Sequence, residues 1–366
     1  MFTRITPLGV VMGSIIGLYV FIFLSRITTT LTHKSKYSVY INLVHLIPAS
    51  MIAYLCFTFS SKYLVVFGYL LFFSLLVDLL YLIFILITRR KKNKVISKIY
   101  YLGIIPIILT ASMITYGYFN MNNVVETSYS FESNKLSNDY KMALISDTHF
   151  GTIQDKRLME EKANYLSSLN LDLLVLDGDL VDDQTKKEDM ENLFRIIGNI
   201  KTKYGIYYVY GNHDRQPYED RRTFTNPDLE NNIKLNNISI LQDDHTIINN
   251  EIVLIGREDK SKKRKSMDNL LDGVDKTKYL LVLDHQPVEI EENSNKGIDL
   301  ELSGHTHARQ IWPIGLAFTI MGTYNYGLYT VNNLNLIVTS GFAGWGYPIR
   351  TEKHCEYVII NLKGTK

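Results

Sequence analysis

Apolar residues are distributed in two different ways along this chain. Up to about residue 120, Leu, Ile, Val, Phe and Tyr come in long blocks, whereas beyond it short apolar runs alternate with polar, charge-bearing segments. Four blocks, at 8–24, 39–59, 64–87 and 99–119, are long enough to cross a hydrocarbon core ~30 Å thick as helices. In the second half the alternation predicts strand 140–146, helix 155–169, strand 171–177, helix 186–200 and strand 205–210, the order of a parallel sheet with crossover helices. Shorter strands follow at 238–242, 246–248 and 251–256, separated by polar turns. Residues 120–139 are rich in Asn, Ser and Glu and read as a linker. The expected organisation is therefore an all-α transmembrane region of four helices (1–120), a linker (121–139) and an α/β catalytic domain (140–366). Two packed sheets flanked by helices would accommodate both kinds of strand.

Charge sharpens the first half. Arg26, Lys34 and Lys36 lie between the first two blocks, and Arg89, Arg90, Lys91, Lys92, Lys94 and Lys98 between the last two; the other side offers Arg4, Lys62 and Lys135. The positive-inside rule puts the basic loops in the cytoplasm, so four crossings place the catalytic domain outside a multi-pass cell-membrane protein. The first block reads as a retained helix and not a cleaved signal peptide, because Arg4 is the one early cation and no small-x-small site follows before Arg26. Gly9, Gly13 and Gly17 give it a small-residue face that can pack on a neighbour. Asp78 and His45, both inside apolar blocks, are expected to pair. The net charge of +2 averages two unlike parts and points to no nucleic-acid partner. Cys56 and Cys355 cannot build a disulfide framework, so the catalytic domain relies on its core and on metals.

Five apolar runs of the second half each end in a short motif: Asp147-Thr148-His149, Gly178-Asp179, Gly211-Asn212-His213-Asp214, His285-Gln286-Pro287 and Gly304-His305-Thr306-His307. Open sheets of buried strands bind ligands at their carboxyl edge, so all five motifs converge there. Asp, Asn and His donors suit Mn, Fe or Zn, and Asp147, His149, Asp179, Asn212, His285, His305 and His307 exceed what one ion needs. A site for two divalent cations is the economical reading.

This ordered set resembles the calcineurin-like metallophosphoesterases over roughly residues 138–364. The resemblance implies an αββα sandwich. It implies one metal held by Asp147, His149, Asp179 and His307, and a second by Asp179, Asn212, His285 and His305, with Asp179 bridging. It gives His213 the role of general acid, with Asp214 orienting its ring. After His307 this chain has Ala308-Arg309-Gln310 where many relatives have two glycines before the glutamine, so Arg309 is a candidate for narrowing the cleft or contacting phosphate.

Aromatics and glycines interleave at 322–329 and 341–350, ending in Arg350, a candidate for bidentate phosphate binding. This pattern resembles the membrane-associated bacterial branch that includes UDP-diacylglucosamine pyrophosphatase-like enzymes. Asn212, Arg309 and Arg350 are thus the expected substrate contacts, and a phosphorylated lipid or envelope molecule at the lipid bilayer is the expected partner. The basic run 257–265 is either a solvated loop or a contact for an anionic surface. The expected activity is hydrolysis of a phosphomonoester or phosphodiester. A noncatalytic receptor or scaffold for phosphorylated ligands is one alternative, and a cytoplasm-facing nucleotide phosphodiesterase, for the reversed topology, is the other.

Overall fold

The computed structural model describes residues 6–32, 38–57, 62–88, 94–154, 156–218 and 221–366. They form two compact units, Met1–Tyr118 and Phe119–Lys366.

In the first unit, α1 (Pro7–Leu31) begins where Thr6 accepts from the Gly9 amide, with Pro7 in the first turn where its missing N–H costs nothing. The following helices are α2 (Ser38–Val44), α3 (Leu46–Leu55), α4 (Lys62–Ile87), α5 (Lys94–Tyr101) and α6 (Ile104–Met121). Three of them, α1, α4 and α6, are long and apolar enough to cross a membrane. The expectation of four full spans is corrected at the second block, which is broken at His45 into α2 and α3. Pro48 explains the restart. It has no N–H for an interior helical bond and is tolerated in the first turn of a new helix. The fourth block is divided at Gly103, whose φ of 65° separates α5 from α6. Of the basic loop residues, Lys34, Lys36 and Arg89–Lys92 lie outside the described residues, as does Arg4.

The glycine face of α1 packs on α3 as its spacing predicts. A Cβ at Gly13 would lie 2.6 Å from the Ala53 carbonyl oxygen, and one at Gly17 would lie 2.7 Å from the Ala53 Cβ. The expected Asp78–His45 pair does not form. Asp78 instead binds Arg26 at 2.8 Å and Tyr100 at 2.9 Å, while His45 lies 3.2 Å from the Thr28 hydroxyl. Arginine reaches Asp78 with a full charge, which satisfies a carboxylate in apolar surroundings better than imidazole.

The second unit holds two six-stranded sheets. The first comprises β1 (Val124–Ser133), β2 (Tyr140–Ile145), β3 (Leu173–Asp177), β4 (Ile206–Val209), β5 (Ile238–Ile240) and β12 (Cys355–Gly364), ordered β1-β12-β2-β3-β4-β5. The second comprises β6 (Asp244–Ile248), β7 (Ile252–Gly256), β8 (Tyr279–Leu283), β9 (Leu300–Ser303), β10 (Gly327–Val331) and β11 (Leu334–Val338), ordered β10-β11-β9-β8-β7-β6. Strands β2 to β5 run parallel, as do β7, β8 and β9.

Alternation decides the layers. Met142, Leu144 and Val175 of the first sheet face Leu254, Leu281 and Leu302 of the second across one core. The opposite face of the first sheet is covered by α7 (Lys156–Ser168), α8 (Lys187–Gly198) and α9 (Asn226–Leu235), through Leu166, Phe194 and Leu229. The outer face of the second receives α10 (Met267–Leu270) and Ile290 of α11 (Ile290–Asn293). The result is the expected αββα sandwich.

The expected linker is corrected. Its residues 124–133 form β1, paired along all ten positions with β12. Tyr129 and Phe131 turn toward the core between the sheets while Ser128, Ser130 and Glu132 on the other face are exposed, a period-two pattern that the polar composition masked; Val124, at the start of that other face, packs in the helix-side core.

Candidate metal centre and active site

Asp147, Asp179, His285 and His305 each stand two residues past the end of their strand, β2, β3, β8 and β9 respectively. The chain leaves the sheet sharply at that point. Asp147, Asp179 and His305 have φ of 55°, 51° and 65°, values non-glycine residues rarely adopt. Glycine makes the exits fit together. Gly178 has φ 75°, and a Cβ there would collide with Gly211 and His285; one at Gly211 would overlap Asp179.

The side chains gather into two triads, Asp147–His149–His307 and Asp179–His285–His305, the ligand atoms in each lying within 4.8 Å of one another. His307 Nε2 is 3.3 Å from His149 Nε2 and 3.4 Å from Asp147 Oδ1. His285 Nε2 is 3.1 Å from Asp179 Oδ2. The other ring nitrogens are fixed by backbone acceptors. His285 Nδ1 lies 2.6 Å from the Asp177 carbonyl and His307 Nδ1 lies 3.0 Å from that of Ala343, which leaves each Nε2 for a metal. Asn212 Oδ1 is buried with no hydrogen-bond partner. An orphaned oxygen beside two N/O triads fits a pair of divalent cations, the group expected of this donor set.

Electrostatics agrees with that fit. Burial holds His307 down to about 3 and His305 to about 4, so both rings present lone pairs at neutral pH. For His285, burial opposes the charge, but Asp179 and Asp147 outweigh it and push its pKa well up. A cation held by this triad would take the place of that proton.

His213 stands beside the second triad, its amide donating to Asp179 Oδ1 at 2.8 Å. Asp214 does not orient its ring, and this role is corrected. The Asp214 carboxylate is fully buried and accepts four backbone amides, those of Asp179, Leu180, Val181 and Gly211, at 2.7–3.2 Å. It ties the Asp179 turn to the Gly211 turn. The ring is held by Asp183, whose Oδ2 is 3.2 Å from His213 Nδ1, a residue that sequence reasoning missed. The signal was the doubled acid Asp182-Asp183 after Gly178-Asp179. Asp182 serves the other triad, at 3.5 Å from His149 Nδ1. Trp345 lies beside His213, ring centroids 5.5 Å apart and planes tilted by 32°.

The two expected phosphate-binding arginines part company. Arg350 is fully buried and donates to the carbonyls of His307, Ser340 and Ala343 at 2.8–3.0 Å, so it braces the His307 loop and reaches no substrate. Arg309 is half-buried over the Phe318 ring at 4.1 Å and makes no ion pair among the described residues. The basic run is also not simply solvated. Arg257 and Arg264 converge on Asp284, next to His285, and on Glu289, which Lys260 joins.

Residues 140–309 match the family model described as calcineurin-like phosphoesterase. This stretch of the second unit is therefore similar to that family. An uncharacterized metallophosphoesterase of Helicobacter pylori is 31% identical over 62% of this chain and 61% of its own length. One from Campylobacter jejuni is 28% identical over 81% of this chain and 79% of its own length. A zebrafish transmembrane protein with metallophosphoesterase domain is 26% identical over 75% of this chain and 66% of its own length. Among solved structures, a dimetal phosphatase from zebrafish aligns with a TM-score of 0.39 at 11% identity, over 55% of this chain and 87% of that one. The chain thus combines a calcineurin-like phosphoesterase domain with apolar helices, and relatives that are themselves transmembrane proteins support membrane association.

Proposed function

We propose that this protein is a membrane-bound, dinuclear-metal phosphoesterase that hydrolyses a phosphomonoester or phosphodiester of a lipid or cell-envelope molecule on the extracytoplasmic side. The observation that carries the reading is the pair of ligand triads with a partnered histidine beside them. Two divalent cations, held by Asp147, His149, Asp179 and His307 and by Asp179, Asn212, His285 and His305, would supply a water of lowered pKa and neutralise phosphate charge.

The chain's own residues do the rest. Burial disfavours charge on His213, but Asp179 and Asp183 outweigh it and raise its pKa to about 9, so the ring carries a proton to give. Asp183 accepts from Nδ1 and aims Nε2, which protonates the departing oxygen. Trp345, packed beside the His213 ring, limits water around it and offers a flat surface to the leaving group. Arg309, two residues past His307 and without an ion pair among the described residues, is assigned to the phosphate. A receptor would need the triads but not an oriented proton donor, so the His213–Asp183 pair favours the enzyme.

The orientation rests on the loop before α6. If its six cations, Arg89 to Lys98, are cytoplasmic, one crossing by α6 puts the domain outside whether or not the second block spans. A lipid-linked pyrophosphate, as for UDP-diacylglucosamine pyrophosphatase-like enzymes, is a related substrate in which the bond cleaved is a phosphoanhydride and the leaving group a phosphate. The test is the purified full-length protein assayed on nitrophenyl mono- and diesters and envelope lipids with Mn, Fe or Zn supplied singly. Hydrolysis that needs metal supports the reading. Phosphate-ligand binding with no turnover under any metal would make the protein a receptor.

A further inference from the structure

The 40 residues 310–349 contain no Asp, Glu, Lys, Arg or His, in a chain that is 21% charged overall. Within them α12 (Ile314–Ile320) exposes Ile314, Leu316, Ile320 and Met321, the last two 76% and 64% accessible. Its side-chain hydroxyl asks little of water. Thr319 donates to the Gly315 carbonyl at 3.0 Å, and just past the helix Thr323 donates to that of Phe318 at 2.9 Å. A short helix that is apolar on its open side and internally satisfied in its hydroxyls suits a solvent that cannot hydrogen-bond.

What lies within reach follows from the same domain. Asn120 and Met121, the last residues of the candidate span α6, are seated on the 342–353 loop. Asn120 Nδ2 donates to the Arg350 carbonyl at 3.1 Å, and the Gly344 amide lies 3.3 Å from the Met121 sulfur. The same loop carries the root of α12, where the Trp312 amide donates to Thr351 Oγ1 at 3.0 Å and Gly315 abuts the Glu352 side chain. Flanking cations stand over aromatic rings, Arg309 on Phe318 and Lys353 on Tyr326. Apolar centre, aromatic margin and cationic edge are the composition of an interfacial anchor.

We infer that the exposed face of α12 docks on the surface of a lipid bilayer, setting its apolar side chains at the boundary between headgroups and acyl chains, beside the His305–His307 motif. This rests on the membrane-bound phosphoesterase reading and adds how the site meets a lipid-embedded phosphate.

Single-cysteine variants Leu316→Cys and Ile320→Cys, with Leu235→Cys on α9 as control, are labelled with an environment-sensitive fluorophore. The full-length protein is then reconstituted into phosphatidylcholine vesicles with or without lipid doxyl-labelled on the acyl chain, and the unmutated chain supplies the background from Cys56 and Cys355. The labels at 316 and 320 should emit to the blue and be quenched by doxyl lipid, and the label at 235 should do neither. A blue shift at 316 and 320 without quenching would mean a protein surface covers α12 and would overturn the inference, as would water-like emission at both. The readout needs no turnover, so it fails or succeeds independently of whether the protein hydrolyses esters.

Discussion

Replacing Asp183 by Asn separates a positioning role from a metal role. In the structure Asp183 lies 3.2 Å from His213 Nδ1 and belongs to neither ligand triad found among the described residues. The Asn amide keeps the shape but removes the charge that holds the ring protonated. A hydrogen bond involving a charged group is worth about 1.5–3 kcal/mol, which at 1.36 kcal/mol per decade converts to about ten- to a hundredfold in rate. His213→Ala removes the donor itself and should lower turnover by about 10²–10⁴-fold. The assay is kcat on a series of phosphoesters whose leaving groups range from nitrophenolate to a simple alkoxide, with bound metal measured in each preparation. Both defects should shrink as the leaving group improves, with metal content unchanged. A loss of equal size across the series, or one that tracks lost metal, would refute the general-acid assignment and make the pair a structural contact.

Three further outcomes follow from particular contacts. Arg350→Met removes a charged donor from three carbonyls; those of His307 and Ala343 keep the Gln310 amide and the His307 ring, and that of Ser340 is left without its partner, so domain stability in denaturant titration should fall by about 1.5–3 kcal/mol, whereas a substrate-binding arginine would raise KM with stability intact. Gly211→Ala forces a methyl group onto the Asp179 carboxylate, so the second triad should lose metal while circular dichroism stays that of the parent. The Tyr140, Asn138 and Ser137 donors outweigh burial and hold Glu251 down to about 2, so its contribution is full above the ordinary Glu range of about 4.3 and lost as pH falls toward 2; Glu251→Gln should flatten thermal stability against pH in that window and leave the neutral-pH curve shape alone.

The parts of the site legible in the sequence were those that a strand end dictates. A ligand two residues beyond a buried strand falls at the sheet edge wherever that strand lies, so Asp147, Asp179, His285 and His305 could be placed together before any fold was known. His213 followed from its motif. Its partner did not, because adjacency in sequence favoured Asp214 while the turn after β4 points that carboxylate back into four amides and brings Asp183 across from the β3 turn. Arg350 read as exposed because a glycine-rich loop resembles a binding loop; three carbonyl acceptors made it a brace. β1 was hidden by its polar residues, which are the outer side of an edge strand. The second apolar block had the length of a span, but one proline changed where its helix could begin.

The proposed mechanism requires that two cations share Asp179. Elemental analysis of the purified full-length protein, alongside Asp179→Asn and Asp147→Asn, tests it most directly. The parent should bind two ions, Asp179→Asn should lose both because one carboxylate serves both sites, and Asp147→Asn should lose less. A parent that binds a single ion, or an Asp179→Asn variant that keeps two at parental affinity, would contradict it.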